Sequence, residues 1–227
     1  MTLAELKALV QDLIFDKAPT PTPFAAASLT RFVNLGMHHT YNLIQPIQRN
    51  LFVTTGTISA SVPAYARLSA ALPITNALGY TRPKRILDAY RTNTTPGACA
   101  VVDLTQRTLK YTGAVRTLPP VGLLGEQVFA VEPPLTASAA TITLTYEHAL
   151  PDMDNDTNTP GQTGVGNTGT ANLIPVEYQP LIAFWAGVLA LRSMRLADQA
   201  AGLYSQYIEA RDVAIGATAK HEKDAGR

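Results

Sequence analysis

The chain reads as an α+β protein: helices from its N- and C-terminal ends pack as one bundle, with an all-β, sandwich-like insert between them. Three observations predict this. Apolar residues recur at helical spacing in residues 1–50 and again in 173–218. From 51 to 150 that period gives way to short Val-, Ile-, Thr- and Tyr-rich runs separated by Pro and Gly. Neither helical end carries enough apolar surface for a core of its own, so the economical solution packs the two ends together.

Thr2 followed by Glu5 is a capping box at the start of the first helix, whose buried stripe is Leu3, Leu6, Leu9, Val10, Leu13 and Ile14. Pro19, Pro21 and Pro23 break it and form an extended connector. Ser28 or Thr30 can cap a second helix, with Phe32, Val33, Leu35, Met37 and Tyr41 as its apolar positions and an end near Pro46. Strands are expected at Leu51–Thr55, Arg85–Tyr90, Ala100–Leu104, Thr108–Tyr111, Gln127–Val131 and Thr141–Tyr146, with a turn at Pro133–Pro134. The last strand alternates cleanly, with Ile142, Leu144 and Tyr146 on one face and threonines on the other.

Residues 151–172 form a long polar loop with too little apolar surface to order itself; a neighbouring chain is expected to hold it. Pro175, with Glu177 in the first turn, opens a helix carrying Leu181, Phe184, Trp185, Val188, Leu189 and Leu191. A last helix carries Leu203, Tyr204, Tyr207, Ile208, Val213 and Ile215 and runs to about Gly216. Residues 219–227 read as a charged tail, free in isolation. The expected bundle core is Leu6, Leu9, Leu13, Phe32, Leu181, Trp185, Leu189 and Tyr204, with Trp185 buried in it.

Charged residues are 15% of the chain against the usual quarter or so. A surface so poor in charge is expected to be covered by subunit contacts, or to belong to a protein simply rich in Ala and Thr, and composition does not separate the two. Net charge is +1, from 18 basic and 17 acidic residues, which argues against a sequence-reading nucleic-acid binder. The lone Cys99 excludes an internal disulfide and a cysteine-based zinc site; within Ala98–Val102 it reads as a small buried hydrophobe. No apolar run reaches the about 20 residues of a membrane span, and no signal peptide is visible, so a cytoplasmic product is expected.

Catalytic constellations are sparse. Gly161, Gly164, Gly166 and Gly169 lack the Lys-Ser/Thr and preceding strand of a nucleotide loop. His38 and His39 are adjacent, hence about 100° apart on a helix and unable to chelate one ion together. Asp88, Asp103, Glu126, Glu132 and Glu147 are flanked by apolar strand residues and read as a solvated outer face, not a hydrolase site. Asp152, Asp154 and Asp156 alternate as in a calcium loop, but Thr157 stands where Gly is needed and Thr163 where a bidentate Glu should be. No enzyme activity or cofactor is expected.

Leu173-Ile174-Pro175-Val176-Glu177-Tyr178, the apolar helix from Leu181, the Leu196–Ala201 turn and Tyr204-Ser205-Gln206-Tyr207 resemble the neck adaptors of tailed bacteriophages. The Thr2–Leu6 helix, Arg31-Phe32-Val33-Asn34 and the strand-rich middle match in order. The resemblance implies a structural head-to-tail connector in the virion neck: a ring, commonly of twelve copies, bound to the portal protein and to a downstream tail or nozzle protein. A tail fibre is a further partner it allows, and double-stranded DNA passes through without sequence-specific contact. Lys220, His221, Glu222, Lys223 and Arg227 are then the portal-docking candidates. The alternative is another virion component, a tail-fibre attachment or receptor- or carbohydrate-binding protein using the β insert.

Overall fold

The computed structural model describes residues 1–15, 24–60, 74, 83–92, 97–99, 101–103, 121–124, 127–130, 140–161 and 174–225. These fall into two compact units, Met1–Arg49 with Leu150–Arg227, and Asn50–Ala149. The connector prolines, the expected strand Thr108–Tyr111, the turn Pro133–Pro134, residues 162–172 of the polar loop and Arg227 lie outside the described residues.

The first unit holds α1 (Leu3–Phe15), α2 (Ala26–Ile44), α3 (Gln179–Ser193) and α4 (Ala197–Ala225). The capping box closes in both directions: Glu5 N–H donates to Thr2 Oγ1 at 3.3 Å and Thr2 N–H to Glu5 Oε2 at 2.8 Å. Leu3, Leu6, Val10 and Ile14 are buried, while Leu9 and Leu13 lie half-buried at the edge of the stripe. The N-cap of α2 is Ala25, not Ser28 or Thr30; Thr30 bonds back to the Ala26 carbonyl at 3.0 Å. Its buried row is Leu29, Val33, Met37, Tyr41 and Ile44, leaving Leu35 45% exposed.

Helix α3 is the hub, packing against α1, α2 and α4. It is apolar on all sides, as a helix surrounded by others must be. Small residues, Ala183, Ala186, Gly187 and Ala190, let those neighbours approach. The closest approach is at Gly36 of α2, where a Cβ would stand 2.4 Å from the Ile182 carbonyl oxygen and 3.4 Å from the Ala186 nitrogen. Both are backbone atoms and cannot swing away.

The turn from α3 to α4 is a Schellman-type stop. Leu196 N–H bonds Leu191 O and Arg195 N–H bonds Arg192 O, each at 3.0 Å, with Arg195 itself at φ 61°. The last helix buries Ala200, Leu203, Tyr207 and Ala214, while Tyr204, assigned to the core from its spacing, is 38% exposed and Val213 is 73% exposed. It also continues past Gly216 to Ala225, where a free tail was expected. Ala, Lys and Glu predominate there, and extending a nucleated helix through such residues costs little.

In the second unit, β1 (Val53–Ala60), β2 (Pro83–Arg91), β3 (Gly97–Ala98) and β7 (Ala140–His148) form a sheet ordered β1-β7-β2-β3. Its three described pairings are antiparallel. A second sheet, β4-β5-β6, joins β4 (Val101–Asp103), β5 (Val121–Leu124) and β6 (Gln127–Ala130), with β4 parallel to β5. Ile58, Ile86, Ala89, Val121, Ile142, Leu144, Tyr146 and Cys99 make the core, so Cys99 is a buried small hydrophobe. Two register shifts in the β2–β7 pairing break the simple alternation along β2, because each slip moves side chains to the opposite face.

Gly36→Ala is expected to destabilise the protein by about 1–3 kcal/mol in chemical denaturation, since the helices must part to admit the methyl. Gly202 of α4 has no atom of the described residues within 4 Å of a built Cβ. There the same substitution is expected to stabilise, by up to about 1 kcal/mol, through helix propensity alone.

Candidate functional site

The described part of the polar segment after β7, residues 150–161, is held by this chain's own helices. Leu150 and Met153 insert into the first unit as buried residues, and Asn158 is 2% exposed. Helix α1 begins with backbone N–H groups that no earlier turn can accept. Leu3 N–H is taken by Asn158 O at 2.8 Å and Ala4 N–H by Asp156 O at 3.1 Å. Asn34 of α2, itself buried, then pairs with Met153 as one peptide pairs with another: its Nδ2 donates to Met153 O and its Oδ1 accepts from Met153 N–H, both at 3.0 Å. The expectation that residues 152–161 need a neighbouring chain to order them is therefore corrected. Hydrogen bonds from α1 and α2 supply what the low apolar content cannot.

The three aspartates of this strap turn to separate partners. Asp152 Oδ1 lies 2.6 Å from His38 Nε2 and Asp156 Oδ1 2.6 Å from Lys7 Nζ. Asp154 Oδ1 accepts from Asn158 Nδ2 at 2.7 Å. Among the described residues no group of three or more His, Cys, Asp or Glu side chains converges as metal ligands would. At the end of the described strap Gly161 adopts φ 94°, a left-handed conformation that glycine tolerates.

His39 joins an aromatic cluster shared by three helices. Its ring stacks on Trp185, with centroids 3.7 Å apart and planes 4° apart, and its Nε2 lies 2.9 Å from Tyr207 Oη. Trp185 is half-buried, short of the burial expected, because Tyr204 and Tyr207 cover it only in part. Of the other expected core residues, Leu6 and Leu181 are buried, and Phe32 and Leu189 are half-buried. Burial lowers the affinity of His39 for a proton below the ordinary value of 6.5. His148 shifts the same way for the same chief reason, and sits edge-on to Phe52.

Glu147, placed on a solvated face from sequence, is 4% exposed, as is Arg91. The alternation of β7 ends at Tyr146, and both Glu147 and His148 are enclosed. Asp88 is exposed, with its Oδ1 accepting from the Ala89 N–H at 2.8 Å. Glu126 and Glu132 lie outside the described residues. Lys220, His221, Glu222 and Lys223 fall on the last turns of α4. No helix among the described residues is long and apolar enough to cross a membrane.

Lys7, Asn34 and His38 thus join α1 and α2 to the strap more than a hundred residues on. Comparison with known proteins places the chain as a whole. Over residues 1–225 the chain matches the family model described as SU10 adaptor protein, while no curated protein matches it. The molecule is a structural component of a phage particle, of the head-to-tail adaptor class, whose work is to join other head and tail components. Within that class it belongs to the SU10 adaptor protein family.

Asn34→Ala would orphan the buried Met153 N–H and C=O, at a cost of about 1–3 kcal/mol for each group left unpaired. Hydrogen exchange should quicken at residues 152–158 and at the first turn of α1, with α4 little affected. A separate expectation concerns pH. The folded His39 and His148 bind protons more weakly than the unfolded chain, so their contribution to stability is complete above 6.5. It is lost as pH falls toward their folded values, and the melting temperature should decline from about pH 7 to 5.5. His39→Gln should make that decline shallower.

Proposed function

We propose that this adaptor assembles as a closed ring beneath the portal, joins the capsid vertex to the tail or nozzle, and lines the channel through which DNA leaves. The match to the adaptor family over residues 1–225 carries this reading. Composition supports it: a chain only 15% charged suits subunits that cover one another. A net charge of +1 suits a bore through which DNA slides without being gripped. In this reading the helices of both chain ends act as one bundle, residues 51–150 are a β-rich insert between them in sequence, and the ring holds twelve copies. The packing of α1 and α2 on α3 supports the bundle. The last turns of α4 (Lys220, His221, Glu222, Lys223) and Arg227 dock on the portal.

A second reading, a fibre-attachment or carbohydrate-binding role for the β unit, has one observation in its favour. Tyr90 is 45% exposed, and the register sets it beside Thr143, with Asp88 beside Thr145 on the next row. An exposed ring among hydroxyl and carboxylate groups is chemistry that can hold a sugar.

Deleting residues 219–227 is expected to leave the melting temperature unchanged and to abolish co-migration with the cognate portal on gel filtration. If the shortened chain docks with unchanged affinity, these residues are not the anchor. If the full chain fails to co-migrate as well, the portal-binding reading falls.

A further inference from the structure

Two of the three helices packed on α3, α2 and α4, turn faces of opposite charge to solvent. On α4 the buried side is Ala200, Leu203, Tyr207 and Ala214. Over residues 197–216 the outward side carries Asp198, Glu209 and Asp212, and Asp212 holds the guanidinium of the half-buried Arg211 at 2.7 Å. On α2 the only Lys, Arg, Asp or Glu is Arg31, and it is exposed. Each face adds an exposed aliphatic side chain four residues after its charge: Leu35 (45%) after Arg31, and Val213 (73%) after Glu209. Four residues are one helical turn, about 6 Å along the axis. Two helices running side by side in the same direction with Arg31 against Glu209 would therefore bring Leu35 against Val213.

Two glycines sharpen the case. Gly202 and Gly216 lie on this outward side of α4, and nothing among the described residues comes within 4 Å of a Cβ built on either. Glycine weakens a helix interior, and packing among the described residues does not account for it here. A second backbone drawn close along that side would.

We infer that the α4 face of one copy seats on the α2 face of the next, Glu209 meeting Arg31 and Val213 meeting Leu35. The two faces differ and neither complements itself. Such a contact is head-to-tail, the kind that builds a ring where the rotation between copies closes and a filament where it does not, and never a two-fold dimer. This rests on the ring reading above and names the surface that builds it.

The test uses full-length protein with the cognate portal, scored by mass photometry and negative-stain imaging. Arg31→Glu sets like charges against Glu209, and Glu209→Arg sets like charges against Arg31. Each variant alone is expected to lose ring assembly on the portal, more completely at low salt than at high. An equimolar mixture of the two is expected to recover the ring with the variants alternating, because every contact is then either opposite-charged as in the native pair or reversed at both sides. Recovery on mixing also shows that both variants are folded. If each variant alone still forms rings as the native chain does, this surface is wrong and the ring reading stands. If both fail and mixing restores nothing, α2 and α4 do not pair and the inference is overturned. If the native chain forms no ring on its portal, the inference falls together with the ring.

Discussion

The contact between Gly36 of α2 and the Ile182 carbonyl of α3 sets the geometry of the helical unit. With a built Cβ only 2.4 Å from that oxygen, the helices touch backbone to backbone, and no side chain larger than hydrogen fits between them. That approach brings His39 flat onto Trp185 and within hydrogen-bond reach of Tyr207, so α2 is tied to α4 through α3. It also fixes where Asn34 and His38 stand on α2, and these two residues catch the strap at Met153 and Asp152. The strap in turn accepts the first N–H groups of α1. One close approach thus bears on the packing of α2, α4, the strap and the start of α1.

How the chain uses its polarity follows from this. Asn34 and the backbone at Asp156 and Asn158 satisfy groups that would otherwise be buried unpaired. The exposed pairs Lys7–Asp156 and His38–Asp152 lie at the margin of the same contacts, where solvent screens them and their share of the stability is small. Pairing Asn34 with Met153 joins residues far apart in sequence without asking for apolar surface the strap does not have. A structural adaptor, whose surface must be given over to other particle components, gains from keeping such links internal.

Local features were legible in the sequence and relational ones were not. The Thr2–Glu5 box, the strand around Thr141–Tyr146 and the helix after Pro175 could be read because each is decided by neighbours within a few residues. The choice of Tyr204 as core failed because spacing favours large residues. The burying side of α4 is instead marked by Ala200 and Ala214, small enough to let α3 approach. Leu35 was misplaced for a like reason, one residue before Gly36, which makes the decisive contact. Strands as short as Gly97–Ala98 leave no period to detect. The strap was least legible of all, since its order comes from donors on α1 and α2 that its own composition does not reveal. The family resemblance carried further than any residue-level motif, because it rested on the order of the parts.

The most direct test of the account is the mass of particles formed by the purified chain, alone and with its portal, measured by mass photometry. The account predicts one discrete species on the portal, at a fixed multiple of the 24.3 kDa subunit, whether or not the chain is monomeric by itself. A chain that stays monomeric beside its portal in every buffer, while binding a glycan through the β unit, would contradict it.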